Sequence, residues 1–278
     1  MKLSIVIPAR NESGNIRATL DNLRCVLVRE EIPYEIIVVD DGSTDGTASE
    51  VLECSRLDPN VVPVANPGRN GFGRAVRCGL NRFTGDAVII CMADASDSPE
   101  DVVKYYQILR DEAECAFGSR WIKGGSVSDY PPLKRIINRF SNIFIRLLFG
   151  LRYNDITNAF KGYRRYVIDG CRPLISPQFN LTVEIPLKAI VRGYSYAVIP
   201  ITWKNRKLGQ SNLKIQEMGS RYLFILLSVW LEKLLTRDDY HREQEEIFLQ
   251  RSAGKAEKPD AFACNSRSAS KMLTGDRP

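Results

Sequence analysis

Two acidic turns, each fed by an apolar run, constrain this chain more than any other feature. Ile36-Ile37-Val38-Val39 leads into Asp40-Asp41-Gly42-Ser43-Thr44-Asp45-Gly46-Thr47, and Ala87-Val88-Ile89-Ile90-Cys91-Met92 leads into Ala93-Asp94-Ala95-Ser96-Asp97. The apolar runs read as buried strands of an open α/β sheet, which places ligands just outside the carboxyl ends of its strands. Carboxylates held there commonly bind a nucleotide or a divalent metal. The chain therefore reads as one that handles a phosphorylated substrate.

The spacing elsewhere in the first 119 residues agrees. Strands are expected at 3–7, 35–39, 61–64, 87–92 and 115–117, with Pro8 ending the first. Helices are expected at 12–28, 44–54, 73–82 and 99–109, the second opening on a capping residue and the last carrying Pro near its start. Strands separated by helices give a doubly wound, mostly parallel sheet. After residue 120 the pattern changes. Residues 134–149 place Ile136, Ile137, Phe140, Ile143, Phe144, Leu147 and Leu148 on one helical face, and Arg135, Asn138, Arg139, Asn142 and Arg146 on the other. A late strand is expected at 197–203 and a second long apolar helix at 213–235. Such helices either pack into a core or lie in a membrane interface.

Composition narrows the chemistry. A single histidine, His241, excludes His-rich metal sites and leaves no other residue for a Ser-His-Asp triad. Seven scattered cysteines without a CxxC argue against a zinc site or disulfide framework and suit a reducing compartment. Any reaction must run on carboxylates, arginines, backbone amides and a metal. Charge is uneven: residues 1–119 carry 12 basic and 19 acidic side chains, whereas 120–221 carry 18 and 5. The acidic half suits a metal, and the basic half suits phosphates or an anionic membrane surface. The longest apolar run, 222–231, falls well short of the roughly 20 residues that span a bilayer. No signal peptide is evident, so the expectation is a cytoplasmic protein peripheral to the membrane.

An ordered set of motifs carries a resemblance. Ser4-Ile5-Val6-Ile7-Pro8-Ala9-Arg10-Asn11-Glu12 is followed by the Asp40–Thr47 turn, Gly71-Phe72-Gly73-Arg74-Ala75, Met92-Ala93-Asp94 and Gly118-Ser119-Arg120. Asp155-Ile156-Thr157-Asn158-Ala159-Phe160-Lys161, Asn180-Leu181-Thr182-Val183-Glu184, Gly193, Pro200 and Arg206-Lys207-Leu208-Gly209-Gln210-Ser211 complete the series. The set resembles the family 2 glycosyltransferases, which have the GT-A nucleotide-sugar-binding fold, and within them the dolichyl-phosphate mannose synthase-like enzymes. The resemblance spans roughly residues 3–235. It divides the chain into a nucleotide-binding half (1–119), an acceptor half with amphipathic helices (120–235) and a polar, partly disordered tail (236–278).

By that resemblance, Pro8, Ala9, Arg10 and Glu12 line the base and ribose pocket, together with Asp41, which accepts a base N–H. Ala93, Asp94 and Ser96 also face the donor. Asp94 would hold Mg2+ or Mn2+, with oxygens from Ser96 or Asp97 assisting. Asp97 equally reads as a helix cap before Pro99. Arg120 and Arg206 resemble phosphate-gripping arginines, with Arg135 a further candidate. Two departures stand out: Met92 replaces the first acid of the D-x-D metal motif, and Asn212 follows Ser211 where the family often has lysine.

The resemblance implies an inverting transfer of a hexose from GDP-mannose or UDP-glucose to a polyprenyl phosphate, with Asp94, Glu184, Arg120 and Arg206 catalytic. Transfer to a glycan or glycolipid hydroxyl, with Glu184 as base, is the alternative, and Glu184 also reads as a residue orienting a neighbour. Met92 motivates a third reading, an inactive nucleotide-sugar-binding homologue. The partners expected are a nucleotide diphosphate sugar, a polyprenyl phosphate or other lipid-linked acceptor, a membrane surface and a membrane protein; nucleic acid is not among them. A dinucleotide fold is disfavoured, because Gly68-Arg69-Asn70-Gly71-Phe72-Gly73 has the wrong spacing and does not open the first βα unit.

Overall fold

A computed structural model describes residues 1–204 and 215–235. A seven-stranded sheet is built from β1 (Leu3–Ala9), β2 (Tyr34–Asp40), β3 (Val61–Ala65), β4 (Ala87–Ile90), β5 (Cys115–Ser119), β7 (Lys161–Arg164) and β8 (Tyr196–Pro200), in the order β3-β2-β1-β4-β7-β5-β8. Only β7 runs antiparallel to its neighbours. A second, two-stranded sheet pairs β6 (Ser126–Ser128) with β9 (Thr202–Lys204).

The period of two sorts each central strand onto two cores. Ile5, Ile36, Val38 and Ile89 face one side, where α1 (Ile16–Arg29), α2 (Thr47–Leu57) and α4 (Pro99–Asp111) cover them. Val6, Ile37, Val39, Val88 and Ile90 face the other. There they meet α3 (Phe72–Leu80), α5 (Pro132–Phe149), α6 (Arg165–Gly170), α7 (Leu181–Val191) and α8 (Ile215–Leu235). Burial on both faces explains the continuous apolar runs.

Several expectations need correction. Pro8 does not end β1: it pairs in register with Val39, and Ala9 with Asp40. Pairing of β1 with β4 stops at Val6, whose carbonyl accepts Cys91 N–H. The missing N–H of Pro8 therefore points where no partner strand remains, and proline costs the ladder nothing. The expected helix at 44–54 begins only at Thr47. The Thr44 amide is held by Asn11 Oδ1, and Ser43 N–H by Asp40 Oδ1, so this stretch is a turn. The strand expected at 197–203 is two strands in two sheets, β8 and β9, separated at Ile201. Elements β6, β7, α6 and α7 were not expected.

The amphipathic helix α5 docks with its polar side. Asn142 is buried and donates to Thr157 Oγ1 at 2.9 Å, and Asn138 reaches the same oxygen at 2.8 Å. Ile145 and Phe149 enter the core, while Ile136, Phe140, Ile143, Phe144 and Leu147 stay exposed. The partly buried Leu148 packs against the core. On α8, Ile225, Leu226 and Val229 are buried, and Leu223, Phe224, Leu227, Leu231 and Leu234 are exposed. No helix among the described residues is long and apolar enough to cross a membrane.

Candidate active site

All the parallel strands end at one edge, so topology alone gathers the loops that follow β1, β2, β4 and β5. Hydrogen bonds lace the first two together. Asn11 N–H donates to Ser43 Oγ, Glu12 N–H to Thr47 Oγ1 at 2.8 Å, and Ser13 N–H to Asp45 Oδ2. Pro8 and Ala9 are buried beneath this lacing, Arg10 is exposed, and Glu12 accepts from Asn15 at 3.0 Å.

Asp41 is buried, with both carboxylate oxygens engaged by the loop after β3. Asn66 Nδ2 donates to Oδ1 at 2.7 Å and Gly71 N–H to Oδ2 at 2.7 Å. In this structure Asp41 braces the loop at 66–71. Gly71 and Gly73 explain the glycine-rich segment without a phosphate. A Cβ on Gly71 would lie 2.4 Å from the Pro177 carbonyl oxygen, and one on Gly73 2.4 Å from that of Ser176. Only glycine lets the start of α3 approach this segment so closely.

Across the edge, the turn after β4 carries Ala93, Asp94 and Ser96, all buried. Asp94 Oδ1 accepts Ser96 N–H at 3.2 Å, and Ala95 adopts the left-handed conformation at φ 55°. Asp97 folds back to accept Met92 N–H at 3.0 Å. Although the residue keeps some surface, its carboxyl group is enclosed. Burial pushes it up to about 7, Asp94 and Asp101 add to that, and the Met92 amide and Arg120 oppose it. The Asp97 carboxylate is turned to the Met92 amide, and Met92 supplies no hard oxygen. Asp94 is left as the principal carboxylate. No cluster of three or more acidic, His or Cys ligands occurs among the described residues.

Arg120, at the end of β5, is also buried, but its fork grips protein rather than solvent. Nε donates to Asp155 Oδ2 at 2.8 Å and Nη2 to Oδ1 at 2.7 Å. Burial alone would lower its pKa, but the Asp155 charge and hydrogen bonds hold it above the ordinary value. In this structure the Arg120 fork is therefore engaged by Asp155. Around the guanidinium stand Trp121, Tyr130 and Trp203, at 5.7–6.0 Å from its carbon. Arg135 and Arg139, one turn apart on α5, each lie 5.2 Å from the Trp121 ring. The buried Trp121 Nε1 has no hydrogen-bond partner among the described residues. Tyr130 continues into a cavity of about 380 Å³ between α5 and α8, walled by Lys134, Ile137, Phe144, Leu223 and Leu226.

Glu184, in α7, is fully buried. Its oxygens accept Ile175 N–H at 2.9 Å, Ser176 N–H at 2.8 Å and Lys188 Nζ at 2.9 Å. Burial would raise its pKa, but Lys188 and these donors hold it below the ordinary carboxylate value. Of the two readings of Glu184, these contacts match the one in which it orients a neighbour, here the segment at 173–178. Arg206, Ser211, Asn212, His241 and the tail at 236–278 lie outside the described residues.

Sequence reasoning missed the aromatic cluster and Arg139. The i, i+4 spacing of Arg135 and Arg139 was a usable signal for a shared face. Trp203 lies more than 70 residues beyond Trp121 and Tyr130, and no local pattern joined the three.

Residues 4–171 match the model of glycosyl transferase family 2. The chain belongs to that family. It is a glycosyltransferase, and its mixed sheet is the expected GT-A fold. Among curated relatives, the polyprenol monophosphomannose synthase of Mycolicibacterium smegmatis is 31% identical over 216 residues, covering 75% of this chain and 80% of that one. The undecaprenyl-phosphate mannosyltransferase of Micrococcus luteus is 30% identical over 223 residues, covering 77% and 88%. Among solved structures, this family 2 chain superimposes with a TM-score of 0.64 on glucosyl-3-phosphoglycerate synthase from Mycobacterium tuberculosis bound to Mn2+, UDP-glucose and phosphoglyceric acid. That match is at 19% identity and covers 82% of this chain and 79% of the other.

Proposed function

We propose that this glycosyltransferase moves a hexose, with inversion, from a nucleotide diphosphate sugar to a polyprenyl phosphate at a membrane surface. The observation that carries the reading is Arg135 and Arg139 stacked on Trp121 at the Tyr130 end of the apolar cavity between α5 and α8. Guanidinium groups there suit a lipid phosphate, whose oxygen would also accept the Trp121 N–H, unpaired among the described residues. Walls of Ile137, Phe144, Leu223 and Leu226 suit an isoprenoid chain. The exposed apolar residues of α5 and α8 suit the peripheral membrane contact that such an acceptor requires. The similar proteins named for polyprenol- and undecaprenyl-phosphate support the same acceptor class.

The chemistry fits the residues. A lipid phosphate oxygen is already ionised near neutral pH, so its attack on the anomeric carbon needs no base. Engagement of Glu184 by backbone amides and Lys188 is then no obstacle, whereas a hydroxyl acceptor would require a proton acceptor. The protein would orient the two substrates from the shared strand edge. A divalent ion, Mg2+ or Mn2+, would neutralise charge on the departing diphosphate. Asp94 would hold it, Ser96 standing in the same turn, and the donor phosphates and water would supply most of its ligands. The donor is GDP-mannose or UDP-glucose.

Radiolabelled transfer to undecaprenyl phosphate, compared with free sugar acceptors, tests the reading. A lipid-soluble product cleaved by mild acid is expected; label found only in an acid-resistant, water-soluble product would overturn it. Mn2+ binding followed by electron paramagnetic resonance tests the metal site without turnover. Met92→Asp should tighten Mn2+ in the presence of nucleoside diphosphate, and an unchanged affinity would mean the site is misplaced.

A further inference from the structure

Between Val61 and Gly85 the chain carries four arginines and no acidic residue, although the half to which this stretch belongs is rich in acids. Three of the four, Arg74, Arg77 and Arg82, line a groove of about 950 Å³ along α3, and Arg172 closes it from the end of α6. Among the described residues, no aspartate or glutamate lines this groove. None of Arg74, Arg77 and Arg82 forms an ion pair with a described residue, and Arg172 reaches only Asp169, at 3.5 Å.

Each guanidinium is anchored by part of its fork. Arg77 Nη1 donates to the Leu174 carbonyl at 2.6 Å and Arg74 Nη1 to that of Asn70 at 3.0 Å. Arg172 donates to Asn81 Oδ1 at 2.7 Å and to the Leu80 carbonyl at 2.9 Å, and Arg82 donates to Cys78 Sγ at 3.1 Å. A guanidinium carries five N–H donors, so each keeps several for another partner. Four like charges held around one concavity repel one another and attract a multivalent anion. Fixed, forked donors favour phosphate over a point-charge partner.

We propose that this groove is a second anion site, separate from the donor edge, which takes a phosphate or diphosphate group. The loop at 66–71 divides the two. Asn66 and Gly68 line the groove, while Asn66 Nδ2 and Gly71 N–H point to Asp41 on the other side. The phosphate belongs either to a soluble phosphoester or to a lipid headgroup. Both sources present the same dianionic or diester oxygens, and the segment at 172–177 runs from the groove to α8 and its exposed Phe224.

Pyrophosphate titrated by calorimetry into the full chain, with the donor edge saturated by GDP or UDP, tests the soluble source. Cosedimentation with phosphatidylcholine vesicles, with and without phosphatidylglycerol, tests the headgroup. The variant Arg74→Gln/Arg82→Gln removes two exposed or partly exposed donors. Arg74→Glu/Arg82→Glu, which also leaves Arg172 at its helix-end contacts, serves as a second. Both should keep the parent melting temperature and nucleoside diphosphate affinity. Pyrophosphate affinity that survives nucleotide saturation and drops at least about tenfold in the variants supports a soluble ligand. Loss of phosphatidylglycerol-dependent sedimentation alone supports the headgroup. If neither probe responds to the substitutions, or if nucleotide displaces all the pyrophosphate, the proposal fails.

Discussion

A guanidinium fork fits a phosphate and a carboxylate equally well, and Arg120 holds the carboxylate of Asp155 in a pair buried from solvent. Removing one member of such a pair strands the other as a buried charge, at a cost of about 3–5 kcal/mol. Arg120→Ala should therefore lower unfolding stability by that amount in urea titration. Arg135→Gln, on an exposed side chain, should leave stability within about 0.5 kcal/mol and weaken lipid-phosphate binding instead. The motifs drew attention to both Arg120 and Asp155 but not to their pairing, because the two lie 35 residues apart and nothing local joins them. The same holds for Asp41, whose turn is plain in the sequence while its contacts to Asn66 and Gly71 depend on the fold. A third carboxylate carries a pH signature. Glu35 accepts from Ser4, Lys2 and both donors of Thr84, which lower its pKa from 4.5 to about 2 against the opposing effect of burial. The folded pKa is depressed, so the stabilisation is present above about 4.5 and is lost as pH falls towards 2. Glu35→Gln should flatten the acid limb of stability in that window, measured by denaturant midpoint; an acid limb identical to the parent would contradict the assignment.

At the scale of elements, the strands and helices of residues 1–119 were legible because their apolar periods serve two buried cores. Short β7, Lys-Gly-Tyr-Arg, was not: its place between β4 and β5 is set by long-range pairing, and its glycine sits where Leu109 leaves 2.8 Å for a Cβ. Helix α5 was legible as amphipathic yet not as inverted, since the amides of the half-buried Asn138 and the buried Asn142 find Thr157 only in the folded chain. The inversion leads to a prediction about the pair α5 and α8. Phe140, Leu147 and Phe224 are all more than half exposed, so serine there removes little folded-state packing. The triple variant Phe140→Ser/Leu147→Ser/Phe224→Ser should keep its melting temperature within a few degrees. It should lose cosedimentation with lipid vesicles, because burial of apolar area drives interfacial binding at about 25 cal/mol per Å². Undiminished sedimentation would show that these faces have another role.

On the scale of the whole molecule, a continuous chain of contacts joins the donor edge to α7. Asp41 holds Gly71; Gly71 and Gly73 abut the carbonyls of Pro177 and Ser176; and the amides of Ile175 and Ser176 are held by Glu184. Lys188 completes the link, pairing with Glu184 at 2.9 Å and donating to the Pro173 carbonyl at 2.5 Å. The same segment meets α8, where Tyr222 donates to the Phe179 carbonyl at 3.1 Å and Phe179 stacks on Phe72 at 4.3 Å. If Glu184 acts on the donor edge through this segment, disturbing the chain at two points should not be additive. Glu184→Gln keeps the shape but leaves Lys188 without its counter-charge, while Gly73→Ala forces the Ser176 carbonyl away. Each should weaken nucleoside diphosphate binding although neither residue need touch the ligand. In a double-mutant cycle read by calorimetry, the coupling should exceed about 0.5 kcal/mol, the usual limit for independent sites. Strictly additive losses, or a Glu184→Gln variant that unfolds more easily yet binds nucleotide as the parent does, would confine Glu184 to holding α7 in place.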